Sequence, residues 1–225
     1  MSIDIPDYGY GTAGACWDDE YIAAPILELV HSLGASRVLD IGCGNGEFCR
    51  RLVASGVGTV VGCDYSASGT AVAQASVAGA TFMQLGVDDD ARVLPGGPFD
   101  VAVSLEVIEH LYDPGALMRF AKVALKPGGY LIVSTPYHGY LKNLAISLSN
   151  GWDGHWDPLW NGGHIKFWSK QTLRRVAEQD GFAWKRFIGA GRMPWMWKSL
   201  IGVFQSPIYE PSAAERHSPR PTHQS

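Results

Sequence analysis

Residues 38–48 read VLDIGCGNGEF. An apolar run runs into glycines at alternate positions, Gly42, Gly44 and Gly46, with Cys43 between the first two. The chain then continues as GEFCRRLVASG, whose Phe48, Leu52 and Val53 share one helical face. Glycine lets a backbone turn sharply and approach a ligand where a Cβ would collide. In an open α/β sheet, ligands bind beyond the carboxyl ends of the strands, where a loop in this position sits. Alone, the pattern is equally a plain tight turn. Asp64 strengthens it: it closes the next strand, TVVGCD (59–64), where a carboxylate can accept both hydroxyl protons of a ribose.

Outward from this loop, strand-length apolar runs alternate with helical stretches. The strands are RVLDI (37–41), TVVGCD (59–64), ATFMQL (80–85), FDVAVSL (99–105), GYLIVST (129–135), FAWKRFIG (182–189) and SLIGVFQ (199–205). Helices are expected at 46–56, 66–79, 114–125 and 170–181, the last with Ser169 as N-cap and Gly181 as C′ residue. Such alternation predicts a doubly wound, mostly parallel seven-stranded α/β sheet with right-handed crossovers and an insert at 136–168 after the fifth strand. One domain spans 1–206, and the polar, proline-bearing end, 207–225, reads as a disordered tail.

With 46% hydrophobic residues, 18% charged residues and a net charge of −4 over 225 residues, nucleic acid is not an expected partner. No run reaches membrane-span length, and the start lacks a signal-peptide layout. Cys16, Cys43, Cys49 and Cys63 are not spaced as a zinc or disulfide frame, so they read as reduced, cytoplasmic thiols. Oligomeric state is not fixed by any of this.

A nucleoside-containing cofactor follows from the loop and Asp64. Dinucleotide enzymes show G-x-G-x-x-G and seat a pyrophosphate on the helix N-terminus. Here the spacing is G-x-G-x-G, with Asp40 two residues before the first glycine. A carboxylate there repels a pyrophosphate and suits a cofactor bearing an ammonium group and a sulfonium, which points to S-adenosylmethionine.

VLDIGCGNGEF, GCDYS, FDVAVSLEVIEHLYDP and LKPGGYLIVSTP together resemble the ordered motifs of class I S-adenosylmethionine-dependent methyltransferases, over roughly residues 37–189. SLEVIEHL, with a long insert after STP, resembles more particularly the ubiquinone-biosynthesis O-methyltransferase group. The resemblance implies that the loop from Asp40 through Gly42, Cys43, Gly44 and Gly46 lines the methionine portion, with Asp40 near its amino group. It implies Asp64 on the ribose, Tyr65 beside the adenine, Val87 and Asp88 at the adenine edge, and the Leu105 carbonyl at the methionine end. Three successive aspartates, Asp88 to Asp90, depart from the family's usual pattern and leave open which one reads the adenine amine.

Glu106, Glu109 and His110 stand at i, i+3 and i+4, so a helical turn would put all three on one face, a reasonable site for Mg²⁺, Mn²⁺ or Zn²⁺. In the resembled quinol methylases this turn is associated with a metal, which would lower a phenol's pKa. The alternatives are that Glu106 and His110 simply hydrogen-bond cofactor and loop, or that His110 acts as a base.

In the insert, residues 140–150 form a short helix with an apolar face and one charge, Lys142. The resembled enzymes carry a membrane-touching insert here, but so few basic residues give weak contact at most. A helix packed on the body of the domain is the alternative. GWDGHWDPLWNGGHIKFW (151–168) then reads as a lid over a small-molecule acceptor, with Tyr137, His155, Trp156 and Trp160 lining the pocket, and His138 and His164 joining His110 as candidate catalytic groups. A satellite core beneath a long loop would account for the tryptophans equally well. The expected function is methyl transfer to an oxygen of a small molecule. N- or C-methylation, an NAD-dependent oxidoreductase and a cofactor-binding protein without catalysis are the competitors.

Overall fold

The computed structural model describes residues 20–155, 163–192 and 196–208, together with residues 9, 159 and 194. Cys16, Trp156, Trp160 and almost all of the expected tail lie outside the described residues.

Seven strands form one sheet in the order β3-β2-β1-β4-β5-β7-β6. They are β1 (Arg37–Ile41), β2 (Thr59–Asp64), β3 (Thr81–Gln84), β4 (Phe99–Leu105), β5 (Leu125–Pro136), β6 (Ala183–Ala190) and β7 (Ser199–Gln205). β1 to β5 pair in parallel, while β7 runs antiparallel to both β5 and β6. The expected doubly wound, mostly parallel sheet is therefore present, with one reversed strand near its edge.

Strand alternation sorts the core into two layers. Val38, Val60, Val101, Val103 and Ile132 point toward α1 (Glu20–Ser32), α2 (Glu47–Ala54) and α3 (Ala67–Ser76), meeting Ile26, Val30, Leu52 and Ala73. Their neighbours Leu39, Val61, Ala102, Leu131 and Val133 face α4 (Pro114–Ala124) and α6 (Lys170–Gln179), meeting Leu117, Met118, Leu173 and Ala177. Ser169 caps α6 by accepting from the Thr172 amide, and Gly181 takes φ +89° just past its end, both as expected.

The sequence reading drew no helix ahead of Arg37, yet α1 is there. Ile22, Ala23, Ile26, Leu29 and Val30 bury one face, and Pro25 interrupts the run that would have signalled it. β5 also begins at Leu125, earlier than the expected Gly129, because α4 stops at Ala124 and the following residues join the sheet.

The insert leaves and rejoins the sheet end at one place, where Tyr137 and Trp168 form a parallel bridge. Within it, α5 (Tyr140–Leu148) buries Ile146 and exposes Tyr140, Leu141, Leu144 and Leu148. Among the described residues, no helix is long and apolar enough to cross a membrane.

Candidate active site

The glycine loop is held by main-chain bonds. The amides of Gly42 and Cys43 both donate to the Cys63 carbonyl, and Gly46 donates to Cys43. Gly42, Gly44 and Gly46 all have positive φ, at +81°, +51° and +81°, which other residues adopt only with strain. A Cβ on Gly42 would collide with Val107, so the loop also packs against the turn after β4. Cys43 sends its side chain inward against Gly62, leaving its main chain as the part it can offer a ligand.

Asp64 ties the two strand ends together. One carboxylate oxygen accepts from the Gly44 amide at 2.8 Å, the other from the Ser66 amide at 2.8 Å. Both bonds use N–H donors, so the carboxylate is held in place at the end of β2 by main-chain amides. Asp40 is buried and accepts from the Cys49 thiol at 3.4 Å. Burial, with a smaller push from the Asp64 charge against the pull of that thiol bond, raises its pKa to about 7. Of the three successive aspartates, Asp89 accepts from the Gly86 amide and Asp90 caps the turn at Ala91–Val93. That leaves Asp88 beside half-buried Val87, lining a cavity of about 190 Å³ that Arg119 and Phe120 also line. Tyr65 sits across from Gly86 at the end of β2.

The turn after β4 corrects the expected metal face. Glu106 adopts φ +53°, and only Ile108–His110 form a single 3₁₀ turn, so the three residues do not share a helical face. Glu106 instead turns to β5, accepting from the Ser134 hydroxyl at 2.7 Å while its amide donates to that residue's carbonyl and hydroxyl oxygens. Among the described residues, the group whose ligand atoms all lie within 4.8 Å of one another is Glu109, His110 and His164. Glu109 is fully buried, and desolvation followed by the Glu106 charge drives its pKa well up. The rings of His110 and His164 meet edge to face, with centroids 4.9 Å apart. His164 reaches this place because Ile165 and Lys166 both donate their amides to the Glu109 carbonyl, and the Lys166 ammonium bonds the Tyr112 carbonyl.

The remaining candidates lie farther along the insert. His138 packs edge-on against Phe167 at 4.5 Å, and Phe167 in turn faces Trp152. Burial, helped by nearby Lys142, lowers His138 to about 4, and burial with the neighbouring His110 does the same to His164. Both are neutral imidazoles at pH 7. Tyr137 packs against Trp197 and Phe187 beside β6, and His155 is exposed, with its Nδ1 against the Gly151 carbonyl. Lys142, singled out only as a charge, is half-buried and donates to the Tyr137 carbonyl. Ser134 and the joining of His164 to Glu109 escaped the sequence reading, since neither leaves a local spacing signal.

A family model described as a methyltransferase domain matches residues 17–184, and the chain belongs to that family. A ubiquinone biosynthesis O-methyltransferase of Bradyrhizobium sp. (strain ORS 278) is 36% identical over 171 residues, covering 70% of this chain and 66% of the relative. One of the same name from Dinoroseobacter shibae is 32% identical over 148 residues, covering 64% of this chain and 59% of the relative. The chain thus spans roughly three-fifths to two-thirds of those relatives' length. Among solved structures, magnesium protoporphyrin IX methyltransferase from Synechocystis PCC 6803, with bound SAH, superposes with a TM-score of 0.62 at 20% identity, covering 88% of this chain and 90% of that one. An S-adenosylmethionine-dependent methyltransferase from Mesorhizobium loti gives 0.62 at 22% identity, covering 83% and 99%. At these identities the solved structures speak for the fold, and the expected family resemblance is borne out.

Proposed function

We propose that the chain transfers the methyl group of S-adenosylmethionine to a hydroxyl oxygen of a small-molecule acceptor, of phenol or quinol type. The observation that carries this is the buried Asp64 carboxylate bonded to Gly44, which joins a ribose-holding group to a glycine loop in a chain of the methyltransferase family. The name borne by the curated relatives supports oxygen as the methylated atom.

In this reading Asp64 holds the ribose, Tyr65, Val87 and Asp88 surround the adenine, and Asp40 and the Leu105 carbonyl meet the methionine end. An acceptor oxygen attacks the methyl carbon in line, the C–S electrons return to sulfur, and S-adenosylhomocysteine leaves. Alignment and exclusion of water supply much of the rate, and the insert that carries His138, Trp152 and Phe167 provides the cover. The hydroxyl proton goes to the cluster of Glu109, His110 and His164. His110 is the proton acceptor in this reading, with or without an ion. The orphaned carboxylate of Glu109 beside two imidazoles also fits a divalent ion, held by these three residues in place of the Glu106, Glu109, His110 set. Such an ion would supply Lewis acidity and make the hydroxyl easier to deprotonate.

The test is calorimetry with S-adenosylmethionine, S-adenosylhomocysteine and NAD, followed by an acceptor screen for methyl-dependent mass gain. Micromolar binding of the first two, with no NAD binding and an O-methylated product, is expected. NAD binding alone would end this reading. Methylation on nitrogen or carbon would move the acceptor class, and cofactor binding with no product from any acceptor would mark a binding protein.

A further inference from the structure

Lys142 is the misfit of the insert. Carried on α5, it is half-buried, and its ammonium donates to the Tyr137 carbonyl at 2.8 Å. Among the described residues, no carboxylate forms an ion pair with it. Its surroundings add to the cost. Arg192, in the loop between β6 and β7, sets a second positive charge against it. Burial and that charge lower its pKa, with Glu106 at the end of β4 pulling the other way. His138, also within reach of the ammonium's charge, is a neutral imidazole. Its buried Nδ1, with the Asn143 side chain nearby, has no hydrogen-bond partner of normal geometry. Half-buried cations normally have a partner, and like charges brought together by two separate segments repel unless an anion joins them.

We propose that Lys142, backed by Arg192, is a specificity-determining residue of the acceptor site, and that it receives the carboxylate of an aromatic acid. Methylation of that acid rests on the function proposed above; its binding does not. The bond to Tyr137 uses one proton of the ammonium and leaves the others to donate to an anion. The ring follows from the wall beside it. Tyr137, whose carbonyl holds the ammonium, packs edge-on against Trp197 with centroids 5.4 Å apart, and Phe187 meets Trp197 at 5.3 Å. Half-buried flat rings suit a flat acceptor, and one charged group at their edge fixes which way it enters. The anion should carry a single charge. Neutral His138 adds no positive charge, and Glu106 opposes a dianion, so a carboxylate fits better than a phosphate.

The experiment uses the full chain saturated with S-adenosylhomocysteine, titrated by calorimetry with two pairs of probes: 3,4-dihydroxybenzoate against catechol, and 4-hydroxybenzoate against phenol. The acid of each pair is expected to bind about tenfold tighter than its neutral partner, or better. Lys142→Met should remove that preference and Lys142→Arg keep most of it. Arg192→Gln, at an exposed position, gives an independent reading and should reduce the preference by about threefold. Lys185→Met, on an exposed lysine of β6, should leave it unchanged. Methyl transfer from S-adenosylmethionine, assayed separately, keeps the two readings apart: acids that bind through Lys142 but are never methylated defeat the function proposed above and leave this site standing. The inference is overturned if the acids bind no tighter than their neutral partners or not at all, if Lys142→Met keeps the preference, or if phenyl phosphate outbinds 4-hydroxybenzoate. It is overturned as well if Lys142→Met weakens S-adenosylhomocysteine by about tenfold, since the ammonium would then serve the cofactor's own carboxylate.

Discussion

The two halves of the site are built by different means. The proposed cofactor half, from Asp40 to Asp64, is made of backbone: positive-φ glycines, amides donated to the Cys63 carbonyl, and one carboxylate bonded to two amides. The proposed acceptor half is made of side chains from separate segments that meet only on folding, and among the described residues the carboxylate of Glu109 is buried with no hydrogen-bond partner of normal geometry. A polar group whose needs are met locally gives a rigid site. One whose needs are unmet awaits something from outside. The contrast can be broken or sharpened by mutation.

Asp64→Ala should have the largest effect. It removes charge-assisted bonds to a diol, each about 1.5–3 kcal/mol, and also frees the Gly44 and Ser66 amides. Calorimetry should show S-adenosylmethionine affinity down by about 100-fold or more. Unchanged affinity in a folded variant would remove the ribose assignment and, with it, the claim that the cofactor half is preorganised.

Asp40 comes next, through pH. Its pKa is raised to about 7 by burial, against 3.8 as a free side chain. The native state therefore holds this proton more tightly than the unfolded chain does. Stability falls as pH rises from 3.8 to about 7, and the cost is fully present above that. Asp40→Asn should raise stability at pH 8 by about 1–3 kcal/mol and flatten that slope, while weakening cofactor binding. In the parent, binding an ammonium beside Asp40 should release a proton below pH 7, visible as a buffer-dependent calorimetric enthalpy. No buffer dependence would show that the ammonium lies elsewhere.

Phe167→Ala tests the acceptor half. The side chain is 48% exposed and contacts His138 and Trp152. The melting temperature should barely move, at a cost below about 1 kcal/mol, while acceptor KM rises and cofactor affinity holds. A large stability loss with unaltered kinetics would make the insert a satellite core.

The smallest effect belongs to Asp100, which accepts from the Ser36 and Arg37 amides, the Ser36 hydroxyl and Lys126, near the starts of β1 and β4. Burial works against ionisation there, but Lys126 and the amides outweigh it and hold the pKa at about 2. Its contribution is present above pH 3.8 and lost as pH falls through 2. Discounted for solvent screening, Asp100→Asn should cost about 1 kcal/mol at pH 7 and nothing at pH 2, with ligand binding intact at both halves.

Legibility followed the same division. β4 and β7 fell on the residues expected, and the glycine loop and Asp64 could be read directly, because each depends on a short-range pattern of backbone conformation. α1 was obscured by Pro25 in its middle. The metal face went astray at Glu106: the spacing argument assumed helical dihedrals, and its left-handed backbone aims the side chain at Ser134 instead. His164 could not be found from spacing at all. Its meeting with Glu109 depends on how the insert returns to the sheet, which is a property of the tertiary fold.

The Tyr137–Trp168 bridge has a consequence for how such a chain can change. Because the two ends of the insert are already pinned side by side, everything between them hangs from a closed stem. Doubling the length of such a segment costs only about 0.6 kcal/mol in closure entropy. The segment can therefore be lengthened, shortened or exchanged for another while the sheet beneath it folds as before. On the proposed function, acceptor choice becomes a graftable trait, constrained chiefly by whether the replacement still carries an imidazole back to the position His164 holds.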